Sequence, residues 1–150
     1  VRVAESVILS RACQPGLKVT IAAGATGLSE SIDIRQMAGG GVRIPDNWVA
    51  ADLSFVVSHL DDSAQIRHSA TPPDPVNPQS LSYVPLRHGG EGADAGDLVK
   101  VTGIDGDASW IPLPAELFMF GFFKFKSTNT ASEAAVDQTT APVLFVALKG

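Results

Sequence analysis

The 150-residue chain carries one cysteine, Cys13, so no disulfide can form within it and a metal site built on several thiolates is excluded. No apolar run approaches the ~18 residues that a membrane-spanning helix needs. The Val7-Ile8-Leu9 patch near the start is interrupted by Glu5 and is too short for the apolar region of a secretory signal, so a cleaved export signal is not expected. Basic residues are scarce: 11 Lys and Arg stand against 16 Asp and Glu, a formal charge of -5. Phosphate neutralisation needs a clustered cationic surface, so nucleic acid is a poor partner for such a chain. Aromatic residues make up 7% and charged residues 18%, whereas glycine and proline number 14 and 10. That balance fits short strands joined by tight turns, and the length suits one domain with a real core.

What is present alternates with the two-residue period of strands. Residues 1–16 read as an N-terminal arm closed by the Pro15-Gly16 turn, with Val7, Ile8 and Leu9 able to add to a sheet edge. From residue 17 to 150 the chain reads as a single β-sandwich domain. Leu17, Val19 and Ile21 alternate with Lys18 and Thr20, and Ile32 and Ile34 alternate with Ser31, Asp33 and Arg35. Gly39-Gly40-Gly41 reads as a flexible turn. The organising stretch is Gly41 to Ser58. Val42 and Ile44 flank Arg43, Pro45-Asp46-Asn47 breaks the pattern, and Leu53, Phe55 and Val57 resume it. This is strand, corner, strand, with Trp48 at the bend as a fold-closing ring. Val56 breaks the polar face of the second strand, so either both faces are covered or Val56 lies in a subunit contact.

Further on, Thr71 to Pro78 holds four prolines in seven positions, a stiff surface excursion that cannot ladder with a sheet. Ser82 to Arg87 reads as a strand, His88 to Asp97 as an acidic loop, and Leu98 to Thr102 and Ser109 to Leu113 as strands joined by an Asp105-Gly106 hairpin. Pro112 to Leu117 forms a helical turn and Phe118 to Lys126 a strand. Phe123 and Phe125 face the core while Lys124 and Lys126 face outward, toward solvent or an acidic partner. After a polar loop, Val143 to Leu148 is apolar on both faces, which suits a central strand or one covered by a partner. About nine to ten strands and no amphipathic helix point to an all-β fold, an antiparallel β-sandwich of jelly-roll or related Greek-key topology.

Reaction chemistry is not announced. The loop Gly24 to Gly27 has neither GxGxxG nor a P-loop lysine. His59, His68 and His88 lack the HxH or HxxxH spacing that sets two imidazoles on one face. Asp105-Gly106-Asp107 begins like a calcium loop but lacks the closing Glu. No GxSxG elbow is present, and Asp61-Asp62 reads as solvated charge. No catalytic residue, cofactor or metal is expected from these patterns. Trp110 and Tyr83 are the aromatics to consider for a shallow carbohydrate site, against core packing as the ordinary reading.

Three segments together carry a resemblance: VTIAAGATGLSESIDI, then VRIPDNWVAADLSFVVS, then LPAELFMFGFFKFKST followed by VLFVALK. The corner Ile44-Pro45-Asp46-Asn47-Trp48 with Ala51 is the most specific piece. The pattern resembles small structural proteins of tailed bacteriophages and related gene-transfer particles, and it covers about half of the chain. The Pro-rich and acidic loops fall outside it. The resemblance implies a virion protein on the outer capsid surface, a decoration or cement protein with the major capsid protein and further copies of itself as partners. A homo-oligomer follows, a trimer suiting three-fold shell positions. No nucleic acid, membrane or catalysis is implied. The alternative is a host-facing recognition module at a head-fibre base or in the tail, such as a carbohydrate-binding one. Candidate interface positions are Val7, Ile8, Leu9, Val56, Val143, Phe145, Lys124 and Lys126.

Overall fold

The computed structural model describes residues 13–59, 83–102, 104 and 109–150. The arm patch Val7 to Leu9, the Pro-rich stretch, His68 and the Asp105-Gly106 hairpin lie outside them. Among the described residues nine strands follow in chain order: β1 Cys13–Thr20, β2 Ile32–Asp33, β3 Gly39–Arg43, β4 Asp52–Ser58, β5 Val84–Pro85, β6 Lys100–Val101, β7 Trp110–Pro112, β8 Phe122–Thr128 and β9 Val143–Lys149. They form two antiparallel sheets, one of four strands in the order β1-β9-β3-β7 and one of five in the order β2-β8-β4-β5, with β6 also paired to β4. The expected all-β sandwich is what the chain adopts.

Alternation explains how the sheets share one core. Val19, Val42, Leu144, Val146 and Leu148 of the four-stranded sheet cluster with Ile32, Leu53, Phe55, Val57, Phe123 and Phe125 of the five-stranded sheet, all nearly or fully buried. Phe55, Phe123 and Phe125 meet edge-on or tilted, with ring centroids 5.0–6.1 Å apart, the geometry that aromatic quadrupoles favour. In the β4–β8 ladder Phe55 stands opposite Phe125 and Val57 opposite Phe123, while Val56 opposes Lys124 and Ser54 opposes Lys126. The two-faced reading of β8 therefore holds.

Four expectations need correction. Gly39-Gly40-Gly41 is not a turn but the first part of β3, paired with β9 on one side and β7 on the other. Glycine carries no side chain with which to announce a strand, which is why the sequence reads as a loop there. A β-carbon on Gly40 would lie 2.4 Å from the Ala147 carbonyl oxygen, so the close approach of β3 to β9 requires its absence. Phe118 to Gly121 is not strand: Ala115–Met119 forms a 3-10 turn and β8 starts at Phe122. β1 runs back to Cys13, with an irregularity in its pairing to β9 between Gln14 and Leu17, at the Pro15-Gly16 dipeptide. Val56 is 7% exposed and all of β4 is buried on both faces, so of the two alternatives for Val56 the covered strand is correct.

The corner is built as expected and is held by more than its ring. Trp48 N–H donates to the Pro45 carbonyl at 3.2 Å, closing a four-residue turn, and the buried indole Nε1–H donates to the Ala51 carbonyl at 3.2 Å. The loop before β9 clamps it from outside. Gln138 is fully buried; its Oε1 accepts from Val49 N–H at 2.8 Å, and its Nε2 donates to the Val49 carbonyl at 2.8 Å and to Ser127 Oγ at 2.7 Å. The amide thus fills both backbone groups of Val49 and ties the corner to β8. Thr140 Oγ1 adds a hydrogen bond to the Asn47 carbonyl.

Candidate docking surface on the four-stranded sheet

Register fixes which side chains face outward from each sheet. On the five-stranded sheet Asp52, Ser54, Val56 and Ser58 of β4 are all buried, so the centre of that outer face is covered. A polar network closes one end. Lys100 Nζ lies 3.3 Å from Asp52 Oδ2 as an ion pair without hydrogen-bond alignment, and it donates to the Thr130 carbonyl at 3.2 Å. Thr130 Oγ1 donates to Asp52 Oδ1 at 3.1 Å, and Thr128 Oγ1 lies 3.0 Å from Ser54 Oγ. A depression of about 280 Å³ there is lined by Ala50, Ala51, Asp52, Ile104 and Asn129 to Ala131. The buried carboxylate is held by the Lys100 ammonium as an ion pair and by the Thr130 hydroxyl on Oδ1, while Oδ2 has no hydrogen-bond partner among the described residues; a buried ion pair of this kind is a structural arrangement.

The four-stranded sheet is different. Core-facing Val42, Leu144, Val146 and Leu148 leave Gly39, Gly41 and Arg43 of β3, Val143, Phe145, Ala147 and Lys149 of β9, Lys18 and Thr20 of β1, and Trp110 and Pro112 of β7 on the opposite side. Trp110 is 56% exposed and Val143 36%, an unusual display for a Trp. Trp110 Cε3 sits 3.7 Å from where a β-carbon on Gly41 would be, so the indole overhangs the glycine strand. Next to it a shallow trough of about 450 Å³ runs along Gly39 to Gly41 and Ala147 to Lys149, almost wholly apolar. Lys18 Nζ lies 5.8 Å from the Phe145 ring centroid, a cation–π contact at the edge of the patch. The surface is thus an apolar strip of Trp110, Gly41, Ala147, Phe145 and Val143, rimmed by Lys18, Arg43 and Lys149.

The candidate residues named from the sequence divide between the two sheets. Val143 and Phe145 lie on the open face, and Trp110 joins them. Lys124 and Lys126 stand on the far side of the molecule, where Lys124 Nζ is 4.5 Å from the Tyr83 ring centroid and Tyr83 Oη shares a hydrogen bond with Ser31 Oγ. The two aromatics considered for a carbohydrate site therefore do not meet. Val56, being buried within the chain, is withdrawn as an interface position. Sequence reading missed Gly39, Gly41, Ala147 and the cationic rim; the alternation of Lys18 with Leu17 and Val19 was the available sign of its facing.

Comparisons with protein families, curated proteins and solved structures return no match. Function therefore has to be argued from this surface and from the resemblance of the corner. Among the described residues no three His, Cys, Asp or Glu side chains gather so as to hold a metal ion, and no helix is long and apolar enough to cross a membrane. His59 stacks near Phe120 at 5.4 Å, whereas His88 Nε2 lies 3.9 Å from Asp94 Oδ2, each histidine with its own neighbour. What the open face can do is bury apolar area against a partner, with its cations supplying direction.

Proposed function

We propose that the chain is a structural protein of a tailed-bacteriophage or gene-transfer particle. It decorates or cements the outer capsid surface, with the major capsid protein and further copies of itself as partners and without catalysis. The observation that carries this reading is the apolar, cation-rimmed face of the four-stranded sheet on a sandwich whose other sheet is covered at its centre. Such a face gains free energy only when something covers it. The Ile44-Pro45-Asp46-Asn47-Trp48 corner supports the same reading, because it is the piece that most resembles virion structural proteins and it is locked by Gln138 and the Ala51 carbonyl. The test is incubation of purified protein with empty shells followed by imaging. Density at regular positions on the outer surface and greater resistance of the shells to heat are expected; shells that bind none of it would overturn the reading.

The exposure of Trp110 favours a second reading, a host-facing recognition module that binds carbohydrate. A displayed indole gives a flat apolar surface for a sugar ring. Specific glycan binding that is lost on Trp110→Ala, without shell binding, would select this alternative.

A further inference from the structure

The open face also limits what can sit on it. Its outward strand positions hold Lys18, Arg43 and Lys149 and, among the described residues, no carboxylate, in a chain whose formal net charge is -5. Two copies of this face related by a two-fold axis would bring cation against cation, so a self-complementary contact is disfavoured. Acids complementary to the exposed Lys18 and Lys149 are found on another part of the same chain. The loop between β5 and β6 presents Glu91, Asp94 and Asp97, all exposed. It projects as an ordered hairpin: His88 N–H donates to the Asp97 carbonyl and Gly96 N–H to the His88 carbonyl, each at 2.8 Å, and Ala95 and Asp97 N–H donate to the Gly92 and Asp94 carbonyls at 3.1 and 3.0 Å. Apart from its three acids, residues 89–97 are glycine or alanine, so the hairpin is narrow. The trough is shallow and is lined by Gly39 to Gly41 and Ala147 as well as by Leu148 and Lys149, so most of its lining is small.

We propose that the occupant of the open face is the Glu91–Asp97 hairpin of a second copy of this chain. Its small residues would lie in the glycine trough beside Trp110, with its acids against Lys18 and Lys149. This rests on the self-association in the reading above and names the surfaces that make it. The two surfaces differ, so the contact is heterologous and propagates around a ring when the rotation closes. Asp94 has His88 as a neighbour within its own chain, at 3.9 Å, which leaves Glu91 and Asp97 as the more available acids.

The test uses purified protein without shells. Sedimentation across a concentration series, at low and high salt, reads association. Acrylamide quenching reads Trp110, because Trp48 is already shielded at 6% exposure. Three variants are compared with the parent, each checked for folding by far-UV circular dichroism: Lys18→Glu with Lys149→Glu on the face, Glu91→Lys with Asp97→Lys on the hairpin, and all four reversals in one chain. Expected are association weakened about tenfold or more by high salt and by either pair of reversals, recovery in the fourfold chain, and protection of Trp110 wherever association occurs. A parent that stays monomeric at every concentration overturns the proposal. So does association that neither pair of reversals weakens, or a folded fourfold chain that fails to recover. Loss of shell binding with association intact would count against decoration and leave this contact standing.

Discussion

Replacing Gly40 with alanine puts the packing of β3 to a direct test. A β-carbon there would meet the Ala147 carbonyl oxygen at 2.4 Å, Leu148 Cδ2 at 3.0 Å and Leu148 Cα at 3.3 Å. A relaxed carbon–oxygen contact sits at about 3.3 Å or more, so β3 and β9 must part by about 1 Å. That takes ladder hydrogen bonds of ordinary length out to about 4 Å, beyond useful range. Overpacking of this kind costs about 1–3 kcal/mol, and each weakened hydrogen bond adds about 1 kcal/mol. We expect about 3 kcal/mol in all, which for a domain of this size lowers the melting temperature by about 6–12 °C. Gly39 is the control, because a β-carbon there meets nothing within 4 Å. Gly39→Ala should be neutral or stabilising by up to about 1 kcal/mol, through the reduced freedom of the unfolded chain. Urea and thermal unfolding followed by circular dichroism would separate the two. If Gly40→Ala melts together with Gly39→Ala, residues 39–41 behave as the open turn their sequence suggests, and the β3–β9 register is wrong.

Other substitutions probe the corner, the buried pair and the acid limb. Trp48→Ala should cost about 3–5 kcal/mol of stability in urea unfolding, as for a large buried ring; a fully stable variant would remove Trp48 from its organising role. Gln138→Leu keeps the volume but strands Val49 N–H and C=O, and a buried unpaired group costs about 1–3 kcal/mol; unchanged stability would show that water replaces the amide. Lys100→Met should cost about 3–5 kcal/mol by leaving the Asp52 carboxylate buried without its counter-ion, whereas stability within error of the parent would mean that Asp52 reaches solvent. Arg35 donates to the Asp33 carboxylate from Nε at 3.0 Å and Nη2 at 2.7 Å, and this side-chain hydrogen bonding holds the Asp33 pKa below its ordinary 3.8. A carboxylate lowered on folding contributes stability above its unfolded pKa and loses it as pH falls through the folded value. An NMR titration of Asp33 should therefore find a midpoint below 3.8, returning upward in Arg35→Ala; a midpoint at or above 3.8 in the parent would sink the assignment.

The parts of this fold legible in the sequence were those where large side chains alternate. Leu53, Phe55 and Val57, or Phe123 and Phe125 against Lys124 and Lys126, declare their faces because burial sorts them. Legibility failed where the deciding feature has no side chain or lies far away in sequence. Gly39 to Gly41 pairs on both sides by backbone alone. Gln138 sits in a Thr- and Ala-rich loop, and nothing local marks it as the clamp of a corner 89 residues earlier. Phe118 and Met119 looked like the start of the apolar strand, yet the 3-10 turn after Pro114 delays it to Phe122. The candidate surface was half visible. Val143 and Phe145 were named, but the rim needed the register of β1 and β3 against β9 before Lys18, Arg43 and Lys149 could be seen to share a side.

The position of β9 shapes how the protein comes to be folded. It lies between β1 and β3, its residues paired with segments more than a hundred positions earlier. Until residues 143–149 have left the ribosome, β1 and β3 have no common neighbour, and each keeps an unpaired edge next to an apolar face. Of the nine described strands, the one made last completes the middle of a sheet, and loop closure over such separations is slow. Nascent chains therefore pass through an interval in which open edges can pair with other copies. The yield of folded protein is then governed by how fast β9 inserts as well as by the stability it confers.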